Sequence, residues 1–340
     1  MSANNHLVFG AGLIGGYLAG GLLAAGFTTS LVARDRVRDA MSGGLTISDY
    51  TGNSKSMAAP RFINAENPAD ESFDFLWLTV KCTAVAGLMD ELAALVSPTT
   101  VILCCQNGLG SDDALRQAYP GNSILRAVVG FNVTGPESGQ LHRSTEGKLV
   151  IESSPLVSII IEKLDSPFLP VAGSDDIVAE QWAKLQLNVA NPVNALANIP
   201  VKTMTEKAGY RRIIAALMRE LLNVSKALSL DLPKVTAVPA RWIPRLLALP
   251  DGVFKLLAQK MLAIDPTART SMWWDLSGGR VTEIDFLNGA VVREADKLGI
   301  ACPVNRRIVQ LVHQVEAGQQ TIGLSAEALA AILFDTRDHA

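Results

Sequence analysis

Eight residues from Phe73 to Val80 are apolar except Asp74 and Thr79, and the six from Thr100 to Cys105 are apolar after the first. Short unbroken runs like these, bounded by turn residues, predict strands buried on both faces. The apolar run ending in Val8 and Phe9, the segment Thr28–Ala33 and the segment Ile124–Val129 read the same way. Segments with helical spacing lie between them: Leu13, Tyr17, Leu18 and Leu22, then Val37–Met41, then Val85–Val96 closed by Pro98, then Asp112–Ala118. Alternation of strand and helix predicts a doubly wound parallel sheet. Lys148–Glu152 and the region up to Val171 predict further, antiparallel strands, whereas Ser42–Ser56, rich in Gly, Ser and Asn, reads as a polar connection.

The pattern changes beyond residues 172–176, where Ser174 or Asp175 can cap a long helix starting near Ile177. From there strand signals are few. Tyr210–Leu228 and Val253–Ile264 have helical periodicity, and Lys234–Leu249 does too, with Pro239 and Pro244 expected to break it. Glu283–Leu298 carries an apolar stripe of Ile284, Leu287, Val291, Ala295 and Leu298, with Gly299 as its stop. The expected fold is therefore an α/β Rossmann-like domain over residues 1–174, followed by an all-α substrate domain over 175–340. Such a pairing places a cleft between the domains, where ligands commonly bind.

Composition removes several function classes. The formal charge is −3 over 340 residues, so nothing points to nucleic acid or to an anionic membrane. Leu7–Phe27 is a span of 21 largely apolar residues, and no charged side chain precedes Arg34. Seven of the 21 are glycine, which suits a strand, turn and helix better than one membrane-crossing helix. Cys82, Cys104, Cys105 and Cys302 lack zinc-ligand spacing and read as reduced, buried thiols of a cytoplasmic protein. The four histidines are scattered, and no metal site is expected.

The first candidate chemistry is Gly10-x-Gly12-x-x-Gly15, directly after the first strand. In a dinucleotide fingerprint the first glycine permits the tight turn, the second lets a pyrophosphate approach and the third lets the helix pack. The backbone of Leu13 and Ile14 then opens a helix whose free N–H groups face the phosphates. Arg34 follows the second strand. An arginine there suits a ribose 2′-phosphate, while the adjacent Asp35 keeps a 2′-hydroxyl possible. Lys81 and Asn107 each follow a strand, in Thr79-Val80-Lys81 and Gln106-Asn107-Gly108. Both also have a plain reading, as a solvated lysine and as turn chemistry.

In the second half Lys184, Asn188 and Asn191 fall within about 60° on one helical face, with Asn194 further round. Asparagine is a poor helix former, so packing alone does not account for it. Pro192 clashes with the carbonyl of Asn188 and should break the helix there. Glu283 follows Thr282, a candidate N-cap, and an acid in a first helical turn is favoured by the helix dipole whatever its function.

Together these landmarks, with Ser271, Thr282-Glu283-Ile284-Asp285-Phe286-Leu287-Asn288-Gly289 and Gly299-Ile300-Ala301-Cys302-Pro303-Val304-Asn305, make the chain resemble the ketopantoate reductase (2-dehydropantoate 2-reductase) family over nearly its whole length. The resemblance implies NADPH-dependent reduction of ketopantoate to pantoate, on the route to pantothenate. It implies Lys184 as general acid and Glu283 as its acidic partner, and it places Asn107, Asn188 and Ser271 near substrate. Gly10, Gly12, Leu13, Ile14, Gly15, Arg34, Lys81 and Asn107 form the implied cofactor set. Members of the family carry a second substrate amide eight residues after the lysine; Pro192 stands there, and Asn191 is the residue to which that role is carried. The expected partners are a small-molecule 2-oxo acid and, at most, a second copy of the chain in a homodimer. Two alternatives stay open: a reductase of another 2-oxo acid, and a non-catalytic NADP(H)-binding sensor.

Overall fold

The structure, a computed structural model, describes residues 5–65, 71–135, 138–259 and 265–334. The described residues of the first half hold these strands: β1 Asn5–Phe9, β2 Thr28–Val32, β3 Leu45–Asp49, β4 Ser54–Met57, β5 Arg61–Phe62, β6 Phe75–Leu78, β7 Val101–Cys104, β8 Ile124–Val129, β9 Val133–Thr134, β10 Gln140–Arg143, β11 Leu149–Glu152 and β12 Val171–Ser174. Eight of them form one sheet in the order β12-β11-β8-β7-β6-β1-β2-β5. From β5 to β8 all neighbours are parallel, and β11 then pairs antiparallel with β8. The chain leaves β1 toward β2 on one side and returns to β6 on the other, so the direction of winding reverses between β1 and β6. In doubly wound sheets a ligand binds outside the strand ends at that switch point.

Leu7, Val8, Leu31, Leu76, Trp77, Leu78, Ile102 and Leu103 are buried in the middle of this sheet, and helix Leu13–Ala24 packs Tyr17, Leu18 and Leu22 against it. The expected single polar connection over Ser42–Ser56 is instead the β3–β4 hairpin of a second sheet, ordered β4-β3-β10-β9. Leu45 and Ile47 alternate inward along β3, and they are fully buried although every second residue is polar. The expected helix Val85–Val96 is divided into Cys82–Val85, a 3-10 turn Ala86–Leu88 and Met89–Ala93.

His6 lies on β1 with 1% of its surface exposed. Its ring stacks on Phe75 at 5.0 Å between centroids, and its Nδ1 accepts a hydrogen bond from Trp77 Nε1 at 3.0 Å. Burial pushes the imidazole pKa down to about 3. The unfolded chain therefore takes up a proton at about pH 6.5 that the folded chain refuses until about pH 3. Stability should fall by roughly 1.4 kcal/mol per pH unit through that window from this residue alone. In His6→Phe that slope should vanish, while the stranded Trp77 N–H lowers stability by about 1–3 kcal/mol at every pH. Unfolding free energies of both proteins across pH 7 to 4 check this; parallel curves would discard it.

The chain divides into two compact units, Met1–Glu180 and Gln181–Ala340. The division falls inside helix Ile177–Asn188. Among its described residues the second unit holds helices and no strand. Its central helix, Ala208–Ala227, is longer than the rest and carries Ile213, Ile214, Leu217, Leu221 and Val224 inward. Arg211 on this helix is fully buried, stacks on Phe254 at 4.1 Å and donates to the carbonyls of Thr205, Leu247 and Leu249. Pro239 and Pro244 begin short segments rather than interrupting a long one: Ala240–Trp242 follows the first, and Ile243–Leu247 has the second in its opening turn. The helix expected over Val253–Ile264 spans Asp251–Leu257, and positions 260–264 lie outside the described residues.

The segment Gly299–Asn305 has a structural account. Glu220, from the central helix, accepts from Val304 N at 2.9 Å, Asn305 N at 2.8 Å, Asn305 Nδ2 at 2.8 Å and Cys302 Sγ at 3.3 Å. It thereby caps helix Pro303–Glu316 from outside that helix.

Candidate active site

The glycine turn fixes one edge of the first unit. Gly10 has φ +100°, and a Cβ there would sit 2.6 Å from Val80 Cγ1, so only glycine suits the turn. A Cβ on Gly15 would sit 2.3 Å from both Gly10 O and Thr79 Oγ1. Thr79 Oγ1 in turn donates to the carbonyls of Gly10 at 2.7 Å and Phe9 at 3.0 Å, which sews β6 to the turn. Gly12 differs: a Cβ there would meet nothing within 4 Å. Among the described residues no contact requires glycine at that position. Helix Leu13–Ala24 begins here with no side-chain cap and no acid in its first turn. Open space above Gly12 and uncapped N–H groups beside it fit a pyrophosphate.

Arg34 is exposed and directly follows β2, as N-cap of helix Asp35–Met41. Lys81 is exposed after β6, at the N-cap position of Cys82–Val85. Cys82 Sγ donates to Asn107 O at 2.8 Å, which draws the turn after β6 to the turn after β7. Gln106 Nε2 donates to Leu78 O at 2.9 Å and tightens the same junction. Gly108, at φ +80°, completes a turn that leaves Asn107 half-buried. Thus Gly10, Gly12, Gly15, Lys81 and Asn107 lie along one edge of the parallel sheet.

In the second unit helix Ile177–Asn188 ends at Asn188, and a new helix, Asn191–Ala197, takes Pro192 in its first turn. The break expected at Pro192 therefore occurs. Asn191 consequently does not share a helix with Lys184 and Asn188, as the single-face reading assumed; it opens the next one. Lys184, Asn188 and Asn191 are all half-buried.

Asn194 has another task. It is fully buried; its Nδ2 donates to Ile199 O at 2.7 Å, and its Oδ1 accepts from Thr270 N and Thr270 Oγ1, each at 3.1 Å. Both ends of the amide are thereby used. Thr270 caps helix Ser271–Ser277, so Asn194 sets the position of Ser271, which is exposed at the first residue of that helix.

Glu283 and Lys184 belong to the same compact unit, Gln181–Ala340. Glu283 is half-buried between Thr282 and a 3-10 turn, Ile284–Phe286; Leu287, at φ −102° and ψ −99°, separates this turn from helix Asn288–Lys297. Thr282 Oγ1 accepts from Ile284 N at 3.2 Å, but the N-cap of the 3-10 turn is Glu283, not Thr282 as expected, and the segment is one turn long. Asn288 then ties the two regions together. Its Nδ2 donates to Val189 O at 3.2 Å, just past the end of the lysine helix, and to Asn305 Oδ1 at 2.9 Å. Sequence reasoning did not single out Thr79, Cys82, Asn194 or Asn288 as site supports. Each acts through a partner more than 20 residues away or through a backbone carbonyl, and neither leaves a local pattern. Among the described residues no cluster of His, Cys, Asp or Glu could hold a metal ion, and no helix is long and apolar enough to cross a membrane.

Two family models match the chain: ketopantoate reductase PanE/ApbA over residues 6–155 and ketopantoate reductase PanE/ApbA C terminal over residues 176–316. A 2-dehydropantoate 2-reductase of Archaeoglobus fulgidus is 24% identical over 317 residues, 92% of this chain and 97% of the relative. Among solved structures, a PanE/ApbA family ketopantoate reductase from Ralstonia eutropha JMP134 is 26% identical, with a TM-score of 0.76 over 93% of this chain and 99% of its own. A D-mandelate dehydrogenase solved with NADH and anilino(oxo)acetate shares the fold, with a TM-score of 0.73 and 19% identity over 93% of this chain and 99% of its own.

Proposed function

The chain belongs to the ketopantoate reductase PanE/ApbA family of NAD(P)-dependent oxidoreductases, and from that membership and its own geometry we propose that it reduces ketopantoate to pantoate with NADPH. The observation that carries the reading is the half-buried Lys184 one helical turn from the half-buried Asn188. A lysine so placed can present its amino group to a ligand while an amide beside it orients that ligand without adding charge.

Gly10, Gly12, Leu13, Ile14 and Gly15 would hold the pyrophosphate, Arg34 the 2′-phosphate, and Lys81 and Asn107 the parts of the cofactor nearer the reacting end. When bound, the reduced nicotinamide supplies the hydride that reaches the 2-oxo carbon. The residues of the chain serve the oxygen. As negative charge grows there, the Lys184 ammonium stabilises it and donates the proton that completes the 2-hydroxy acid. Glu283 keeps Lys184 charged and oriented. Asn188, Asn191 and Ser271 bind the carboxylate and hydroxyl of the substrate, with Asn107 meeting both ligands. An NADPH-oxidation assay over a panel of 2-oxo acids tests the reading; no turnover of any of them would end it.

A second reading keeps the reaction and changes the acid. Pro192 stands where relatives place an amide, and Asn194 is fully engaged by Ile199 and Thr270, so Asn191 alone is left for the second amide role. If ketopantoate is inert while another 2-oxo acid turns over, this reading replaces the first.

Cofactor choice follows from Arg34. A charge-assisted arginine–phosphate pair contributes about 1.5–3 kcal/mol, on the order of tenfold or more in affinity. Arg34→Ala should weaken NADPH at least tenfold and NADH far less, as read by fluorescence titration. Equal losses for both cofactors would remove Arg34 from the 2′-phosphate.

A further inference from the structure

We propose that Glu316 and His313 are positioning residues that hold Glu283 in its working place, with Glu316 the inner member of the clamp. The proposal rests on the reading of Glu283 as the acidic partner of Lys184.

Glu283 sits where no regular helix can fix it. It precedes a single 3-10 turn, and the chain bends sharply at Leu287 before helix Asn288–Lys297 begins. The residues on either side of it are held instead by helix Pro303–Glu316. On one side, Thr282 N donates to Glu316 Oε1 at 2.7 Å. On the other, the Asp285 carboxylate meets His313 Nε2 at 3.0 Å. His313 Nδ1 meets Glu316 Oε2 at 2.9 Å, so the two anchors are joined through one imidazole. Arg293 Nη1 also donates to Asp285 O at 2.6 Å. Asp285, from the turn, and Glu316, from its own helix, are thus the charged partners of His313, and Arg293, from helix Asn288–Lys297, is bonded to the turn at the Asp285 carbonyl.

Exposed ion pairs between surface residues have little effect. Glu316 is not of that kind: its side chain is only 14% exposed, and one oxygen is committed to the N–H of the fully buried Thr282. His313 and Asp285 form the outer, more exposed half. A shift of about 1 Å in a catalytic group can lower turnover by a large factor. Two fixed neighbours are therefore a substantial control on where the Glu283 carboxylate lies.

The imidazole must donate from both nitrogens to satisfy two carboxylates, and only the protonated ring can do so. Partial burial opposes the charged ring, but the hydrogen bonds to Glu316 and Asp285 outweigh it and raise the His313 pKa above its ordinary value. The clamp is complete below about pH 6.5 and loses one of its bonds as pH rises through the raised pKa.

Four variants test this in the intact chain. Glu316→Ala should lower kcat about tenfold with the Kd for NADPH unchanged. Glu316→Gln should stay within about threefold of wild type, because its amide oxygen still accepts from Thr282 N. Its NH2 can also donate to a neutral His313, so the kcat step near the His313 ionisation should disappear. Glu316→Ala added to Glu283→Gln should lose nothing further, a result that a general structural defect does not give. Wild-type kcat in Glu316→Ala, or a further tenfold loss in the double variant, overturns the clamp. If Glu283→Gln alone leaves kcat unchanged, the reading of Glu283 fails and takes the clamp with it. If Glu283→Gln is impaired and Glu316→Ala is not, only the clamp fails.

Discussion

Lys184→Ala should lower kcat by roughly 10²–10⁴-fold, the range general acid catalysis contributes, while NADPH binds almost as before. The two effects separate because the groups assigned to the cofactor, from Gly10 to Asn107, lie in the first unit and Lys184 lies in the second. On the proposed role of Lys184, alanine removes both the proton donor and the positive charge that would meet the developing alkoxide, so the loss should fall on the transition state. KM for the 2-oxo acid should change less than kcat. Lys184→Arg should rescue poorly: the guanidinium keeps the charge, but it does not give up a proton near neutral pH, and its planar fork does not match the ammonium. Glu283→Ala should also reduce kcat, and the double variant should lose less than the product of the two, as expected of groups acting as a unit. Steady-state kinetics with a cofactor titration reads kcat, KM and NADPH binding for all four variants. A Lys184→Ala enzyme with near-normal turnover would remove the lysine from the mechanism.

How much of this was legible in the sequence depends on whether the responsible interactions are local. Gly10, Gly12 and Gly15 were legible because a glycine states a backbone requirement in one letter, and the structure separates the three: φ +100° at Gly10, open space at Gly12 and a 2.3 Å approach at Gly15. The break before Pro192 was legible because a proline clash with the carbonyl four residues earlier is also local. The β3–β4 hairpin was not. Its inward residues, Leu45 and Ile47, are isolated among Thr, Ser and Asp, and the neighbour that completes the sheet, β10, lies more than 90 residues on, at Gln140–Arg143. Asn191 and Asn194 could not be told apart for the same reason. Both are asparagines near a helix break, and what commits Asn194 to structure is Thr270, 76 residues away. Lys184 and Glu283 fall in one unit with the division at 180, as they do with the division at 174 that the change of pattern suggests.

Gly12→Ala and Gly15→Ala should both cost the protein its NADPH, and only one should cost it stability. A methyl group on Gly12 meets nothing within 4 Å, and the residue already has an ordinary φ of −71°. Replacing an N-cap glycine by alanine costs about 1 kcal/mol or less, so the melting temperature should barely move. On the proposed cofactor placement, the same methyl group occupies the space a pyrophosphate would enter to reach the N–H groups of the helix. Two charge-assisted hydrogen bonds at about 1.5–3 kcal/mol each correspond to a hundredfold or greater rise in Kd. At Gly15 the methyl lands 2.3 Å from a backbone carbonyl and from Thr79 Oγ1. The turn or the helix must give way, and Thr79 loses its place against Gly10 and Phe9. Overpacking of that kind costs about 1–3 kcal/mol, and it moves the turn itself, so stability and NADPH affinity should fall together. Thermal melts with and without NADPH, alongside fluorescence titration, distinguish the two variants. NADPH binding by Gly12→Ala at wild-type strength would mean that the phosphates do not pass over this glycine, and the cofactor site would have to be sought elsewhere on the sheet edge.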